Sequence, residues 1–217
     1  MRRSLLCIVL VAAGVLASGP AAAAIDIFGK FTGIDGESID KGHEKWIDVL
    51  SYSFGASNPF SFTAGPGGGQ GKVEFSDFSF TKLVDKSSPM LMLDLAQGKM
   101  IDQALFDVVM AGAGANQQPF LQYKFSDVII TSYSVGGANG GSVPTENLTF
   151  AFGKIEWTYR PQDEKGGLGA PVTMFWDVKR NEGGISPVPE PSTWAMLAAG
   201  LAFVAFRGQK MVRARTA

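Results

Sequence analysis

Between residues 25 and 184 apolar and polar positions alternate in short runs, the pattern of half-buried strands. The reading places strands at 25–31, 46–54, 72–83, 103–110, 120–135, 148–159 and 172–178, rich in β-branched and aromatic residues and separated by Gly, Asn and Pro clusters. In 46–54, Leu50, Tyr52 and Phe54 share one face. In 72–83 the apolar parity changes from Val73 and Phe75 to Phe78 and Phe80, which predicts a bulge near Ser76-Asp77. The one helical pattern is 88–97, with Ser88 as cap, Pro89 in the first turn and Gly98 as the stop. Its Met90, Leu91, Met92, Leu93 and Leu95 make it apolar almost all round and predict a buried helix, with the methionines as packing rather than a sulfur-rich ligand site. Residues 136–144 read as a surface loop. Many strands with a single helix predict a mainly β fold: a closed or nearly closed β-barrel of two packed antiparallel sheets.

The two ends do not follow this pattern. Arg2 and Arg3 precede an apolar run over 5–16, and small residues follow up to Ala24. This is the layout of a secretory signal peptide over 1–24, cut after Ala24 to leave Ile25 as the new start. At the other end Pro187, Pro189 and Pro191 stiffen the chain before an apolar stretch over 194–206 and the basic residues Arg207, Lys210, Arg213 and Arg215. Thirteen helical residues reach about 20 Å, short of a bilayer core of ~30 Å, and snorkelling basic side chains make up part of the difference. The reading is therefore a body at 25–184 and a sorting segment at 185–217, with only transient membrane attachment.

Charge sharpens that division. The 217 residues carry 19 basic and 20 acidic side chains, but six of the basic ones lie in the two ends. The segment holding every acid, Asp26 to Glu190, has thirteen basic residues against twenty acidic ones, a net of −7. Such a body is repelled by phosphate backbones, which excludes nucleic acid as a partner. Cys7, the one cysteine, falls in the leader, so disulfides, Cys-rich metal sites and a thiol nucleophile are excluded from the mature body. About 160 residues bury enough surface to fold without such staples.

Candidate chemistry is thin. His43 is the one imidazole, no Gly-x-Ser-x-Gly elbow accompanies it, and Lys41, Glu44 and Lys45 around it read as a solvated turn leading into a strand. Asp40 and Glu44 are the carboxylates that could join it on a metal, but no second nitrogen or sulfur ligand is at hand. The glycine-rich run from Gly65 to Lys72 is not a phosphate loop: Pro66 stands where its first glycine belongs, and Val73 where Ser or Thr would hold magnesium. Asn147-Leu148-Thr149 has the form of a glycosylation sequon. The expectation is no catalytic residue, no cofactor and no metal. Trp157 and Trp176 are candidate aromatics for binding an exopolysaccharide.

Two resemblances add to this. The run Val188-Pro189-Glu190-Pro191-Ser192-Thr193-Trp194-Ala195-Met196-Leu197, its apolar sequel and the Arg-rich end resemble the PEP-CTERM sorting signal. That resemblance implies recognition by an exosortase in a Gram-negative bacterium, cleavage near Pro189, Glu190 and Pro191, release outward and a biofilm setting. The body resembles the Hcp family of type VI secretion. The matching stretches are Ile34-Asp35-Gly36-Glu37-Ser38, the run from His43 to Gly55, Ser88-Pro89-Met90-Leu91, Gly98-Lys99, the run from Glu156 to Asp163, and Trp176-Asp177-Val178-Lys179-Arg180-Asn181. This second resemblance implies a two-sheet β-barrel with one helix that joins head-to-tail into hexameric rings able to stack into a tube. A tube assembled in the cytoplasm needs no leader, so the ends point to an exported, ring-forming structural protein at the cell surface or in the extracellular matrix. The other readings are a type VI tube or effector protein, and an exopolysaccharide-binding module.

Overall fold

The computed structural model describes residues 24–59, 72–111, 118–163 and 167–186. Among the described residues the elements are β1 (Ile25–Phe31), β2 (Ile47–Ser53), β3 (Ala56–Ser57), β4 (Glu74–Phe75), β5 (Phe78–Leu83), α1 (Ser88–Gln97), β6 (Met100–Met110), β7 (Leu121–Gly136), β8 (Thr145–Ala151), β9 (Lys154–Tyr159), β10 (Val172–Asp177) and β11 (Glu182–Ser186). One antiparallel sheet runs β11-β10-β9-β7-β6-β1-β2-β5-β8, and β8 pairs back onto β7. Six strands (β7, β6, β1, β2, β5, β8) thereby close into a barrel, and β9, β10 and β11 continue outside it as a flap. The mainly β barrel with a single helix is the fold that the alternation predicts; its two walls belong to one continuous sheet.

The long strand β7 makes this possible. One edge pairs with β6 from Leu121↔Val108 to Ile129↔Met100. The other edge holds β9 along 121–126 and β8 along 129–136. At the junction Asp127 takes a φ of 55°, and Gly153 donates its backbone N–H to the carbonyls of Ser126 and Asp127. The inward parity shifts there, from Tyr123 and Phe125 to Val128 and Ile130, and shifts again where the β7–β8 register slips between Ile130 and Ser132. Each slip bends the strand, so one segment serves both the closed barrel and the open flap.

The barrel is filled by aromatic rings from every one of its strands. Phe78 lies at the centre, with ring centroids 4.6 Å from Phe106, 4.9 Å from Phe125, 5.2 Å from Phe150 and 5.5 Å from Tyr52. Phe31 meets Phe150 at 5.7 Å and Phe106 at 5.9 Å. Tilted and edge-on pairs suit ring quadrupoles, and each buried ring contributes about 1.5–3 kcal/mol through burial.

Outside the barrel, residues 34–46 fold back over the wall made by β1 and β6. Backbone bonds fix this loop: Gly36 N to the Lys45 carbonyl at 2.8 Å, Ser38 N to that of Trp46 at 2.9 Å and Lys45 N to that of Ser38 at 2.9 Å. Only glycine fits at position 36, because a Cβ there would stand 2.1 Å from the Trp46 carbonyl oxygen.

Five local expectations need correction. Leu50 does not share the face of Tyr52 and Phe54, because the β2–β5 register shifts between Val49 and Ser51 and leaves Leu50 exposed while the two rings pack on the core. The 72–83 segment breaks at Ser76-Asp77 rather than bulging: β4 pairs with β3, while β5 pairs with β2 and β8. The 148–159 segment is likewise two strands, split at Phe152-Gly153 where the neighbouring β7 bends. The alternation predicts neither β3 nor β11: Ala56-Ser57 is two residues long, and Glu-Gly-Gly-Ile-Ser carries no alternating pattern. The helix is not buried all round. Leu91, Ser88 and Asp94 are buried, whereas Met90, Met92 and Leu93 are nearly half exposed, because α1 lies on β7 by a single face.

Replacing the central ring, Phe78→Ala, is expected to destabilise the fold by about 3–5 kcal/mol in chemical denaturation, while Leu50→Ala on the exposed wall stays within about 0.5 kcal/mol.

Candidate functional site

The strand pairing of the flap gives it two unlike faces. Tyr159 pairs with Val172, Trp157 with Met174 and Ile155 with Trp176; Ile185 and Gly183 extend the rows for Met174 and Trp176. With Leu121, Tyr123 and Phe125 of β7 opposite Tyr159, Trp157 and Ile155, these residues continue the apolar inner surface of the barrel. Among the described residues Phe75 of β4 meets the extension at Trp176, while its outer part stays exposed. Trp157 is 39% exposed, Tyr159 and Val172 about half, and Ile185 71%. The reverse face is mostly polar, with one exposed ring: Lys124 Nζ lies 3.2 Å from Glu156 Oε1, Lys154 Nζ 3.6 Å from Asp177 Oδ2, the Thr158 and Thr173 hydroxyls are 2.8 Å apart, and Phe175, opposite Glu156, is 44% exposed. An apolar sheet face left open in this way marks a contact surface.

The two tryptophans singled out from the sequence do stand on that face, two residues apart in register, but they do not form a free stacking platform. Trp176 is turned into the core cluster, 6.4 Å from Phe75, with its indole N–H buried and unpartnered among the described residues. Trp157 leans on Tyr123 at 5.6 Å.

A polar cluster lies under the N-terminus of α1. Lys82 and Glu146 are cross-strand partners on β5 and β8, both with no exposed side-chain surface, and their Nζ and Oε2 are 2.7 Å apart. Lys82 also reaches Asp85 Oδ1 and Ser88 Oγ, each at 2.8 Å, and the Leu83 carbonyl at 3.1 Å. The Ser88 hydroxyl donates to Glu146 Oε2 at 2.9 Å and accepts the Asp85 N–H at 3.0 Å, while Tyr133 donates to Glu146 Oε1. Burial first, and then the bond to Glu146, push the Tyr133 phenol up to about 12. Ser88 therefore docks the helix on the seam between β5 and β8 instead of capping it, and Ser87, the N-cap, makes no side-chain cap bond. Sequence reasoning missed this cluster, although Phe78-x-Phe80-x-Lys82 and Glu146-x-Leu148-x-Phe150 place both charges on inward parity.

His43 is buried, not part of a solvated turn. Its ring stacks on Phe28 at 4.3 Å and 7°, and meets Trp46 edge-on at 4.8 Å. Nδ1 lies 3.0 Å from Asp40 Oδ1 and Nε2 3.1 Å from Asp107 Oδ2, and Asp107 in turn accepts from Gln122 at 2.7 Å. Burial lowers the affinity of the ring for its proton, but the bonds and charges of Asp107 and Asp40 outweigh it and leave His43 above its ordinary value. Asp40 is brought to His43 as the sequence allowed, while Glu44 is exposed. No group of three or more His, Cys, Asp or Glu side chains able to hold a metal occurs among the described residues.

Ala24 and Ile25 are exposed at the start of β1, where the Ala24 carbonyl accepts the Ala111 N–H at 2.8 Å. Pro189, Glu190 and Pro191, the apolar stretch after them and the glycines from Gly65 to Gly71 lie outside the described residues. No helix among the described residues is long and apolar enough to cross a membrane.

Comparison with known proteins places two matches on this chain. A family model described as "Type VI secretion system effector, Hcp" matches residues 28–159, and one described as "PEP-CTERM protein-sorting motif" matches residues 187–210. Protein hcp1 of Pseudomonas aeruginosa is 42% identical over 159 residues, covering 73% of this chain and 98% of the relative. Among solved structures, one described as a type six secretion system protein is 33% identical with a TM-score of 0.69, covering 74% of this chain and all of the other. Hcp1 from Salmonella typhimurium is 31% identical with a TM-score of 0.60, covering 74% and 99%.

Because Lys82 and Glu146 are wholly buried together, Lys82→Met alone should destabilise the protein by about 3–5 kcal/mol, and Lys82→Met with Glu146→Leu should recover much of that loss, as measured in a double-mutant cycle by denaturant titration.

Proposed function

The chain belongs to the Hcp family of type VI secretion proteins, and from that premise we propose that it is an exported, non-enzymatic structural protein that assembles into rings through its own barrel surfaces. The observation that carries this reading is the uncovered apolar face of the flap, with Trp157, Tyr159, Val172 and Ile185 exposed on a rigid antiparallel ribbon. Burying such a face against the wall of the next copy is a heterologous contact, and a heterologous contact that closes makes a ring. Family resemblance sets the expected ring at six copies.

The setting follows from the two ends. The sorting motif matched at residues 187–210 begins directly after β11, and the leader ends directly before β1. In this proposal cleavage after Ala24 and near Pro189, Glu190 and Pro191 leaves little more than the barrel and its flap, placed at the cell surface or in the matrix by exosortase processing after brief membrane attachment. Exposure of Ala24 and Ile25 supports access to the first cut. A second reading, a component of a type VI tube itself, is favoured by the match to 98% of the length of the Pseudomonas relative.

Light scattering on the exported protein should give about six times the protomer mass. Trp157→Lys and Ile185→Asp should each weaken assembly by about 2 kcal/mol or more, and together they should give a folded monomer by circular dichroism. Mass spectrometry of that exported form should read Ile25 at the start and end near the Pro-Glu-Pro motif. A cytoplasmic full-length ring would instead favour the tube reading.

A further inference from the structure

The two nitrogens of His43 both face carboxylate oxygens, Asp40 at 3.0 Å and Asp107 at 3.1 Å. A carboxylate only accepts, and a neutral imidazole has only one N–H to donate. With both acids ionised, one proton too few would set a ring lone pair against an oxygen lone pair inside a site where the histidine side chain is 4% exposed. The geometry is complete only with the ring doubly protonated.

What the ring holds is the loop at 34–46. Asp40 and Trp46 come from the loop itself, Phe28 from β1 and Asp107 from β6, with Gln122 of β7 behind Asp107. The charged groups that act most on His43 are these two acids; Lys41, Glu44 and Lys45 flank it on the loop and are exposed. On its outer side the loop presents Ile39, 93% exposed, and with Ser38 and Asp40 forms one bank of a groove of about 620 Å³ whose other bank includes Ile25, Asp48 and Leu50. We propose that His43, bonded through both ring nitrogens, is a proton-dependent clamp that fastens this loop across the β1–β6 wall and releases it, with the groove, in alkaline surroundings.

The direction follows from linkage. The proton is held more tightly in the closed loop than its ordinary value of 6.5. The stabilisation is therefore fully present below 6.5 and lost as pH rises through the elevated midpoint. On the acid side the His43 bond, with burial opposing it, keeps Asp40 below its ordinary 3.8, so that part is lost as pH falls through the lowered value. Between these limits the loop is held shut.

His43 is the one histidine of the chain, so proton NMR of the untagged full-length protein reads its titration without assignment. The midpoint should lie above 6.5 and fall in Asp107→Asn or Asp40→Asn, whichever keeps the fold. Lys41 and Lys45 make the same loop a trypsin target. Cleavage there, normalised to a model peptide at each pH, should rise between pH 6 and pH 9 by about tenfold for every unit by which the midpoint exceeds 6.5. His43→Phe, which keeps the stacking, should be cut equally at both. A midpoint at or below 6.5, or cleavage in the unsubstituted chain that ignores pH, overturns the clamp.

Discussion

A lysine and a glutamate with no access to water face each other across β5 and β8, at inward positions that continue rows of phenylalanine. Taking two charges out of water is unfavourable unless each hydrogen-bonding site is answered. Here they are: Lys82 finds Glu146, Asp85, Ser88 and a backbone carbonyl, and Glu146 finds Lys82, Ser88 and Tyr133. The partners come from β5, β7, β8 and the start of α1, so satisfying this pair fixes the seam where the barrel closes and the place where the helix lands. An apolar pair at these positions would bury as much surface without demanding any one position for the helix.

The same closure explains the flap. Strand β7 is longer than the barrel needs, and its bend at Asp127 sends the two successive partners on one edge into different bodies, β8 into the barrel and β9 out of it. The sheet outside the barrel keeps the inward row of the barrel because the pairing register carries side-chain parity from strand to strand. It inherits apolar residues that, among the described residues, stay exposed beyond Trp176. A monomer would be better served by polar residues there, so the retained tryptophan, tyrosine, valine and isoleucine argue for a partner surface.

Legibility from sequence followed the physics of each segment. Alternation placed β1, β2, β7 and β10 within a residue or two, since successive side chains of a strand point to opposite faces. It failed where a neighbour decides the outcome. The break at Phe152-Gly153 answers the bend in β7, and β11 exists because β10 offers an edge, not because Glu-Gly-Gly-Ile-Ser prefers a strand. Helix α1 read as buried because its composition is apolar; its orientation is set by the hydrogen bonds of Ser88, which turn Met90, Met92 and Leu93 outward. His43 read as solvated from its charged neighbours, yet the residues that bury it, Phe28 and Asp107, are cross-strand partners that no local window contains. Lys82 and Glu146 alone left a readable trace, as charges standing in inward rows.

With one cysteine the chain forms no internal disulfide, and its two irregular attachments, the helix and the loop at 34–46, are too small to hold themselves by burial. Leu91 is the one fully buried apolar residue of the helix, and the loop packs little more than Ile34, His43 and Trp46. Each is fastened by a small, nearly dry set of charges, Lys82 with Glu146 and His43 with Asp40 and Asp107, to which the loop adds two exposed ties, Lys30 to Asp35 and the Lys86 N–H to Glu37. Aromatic packing supplies the barrel with stability in no particular direction; the charged sets supply direction, because a misplaced helix or loop would strand a charge in the interior. The histidine set is bounded by pH in a way a disulfide is not, so in the proposed clamp the surroundings in which the protein works select whether the loop stays in place.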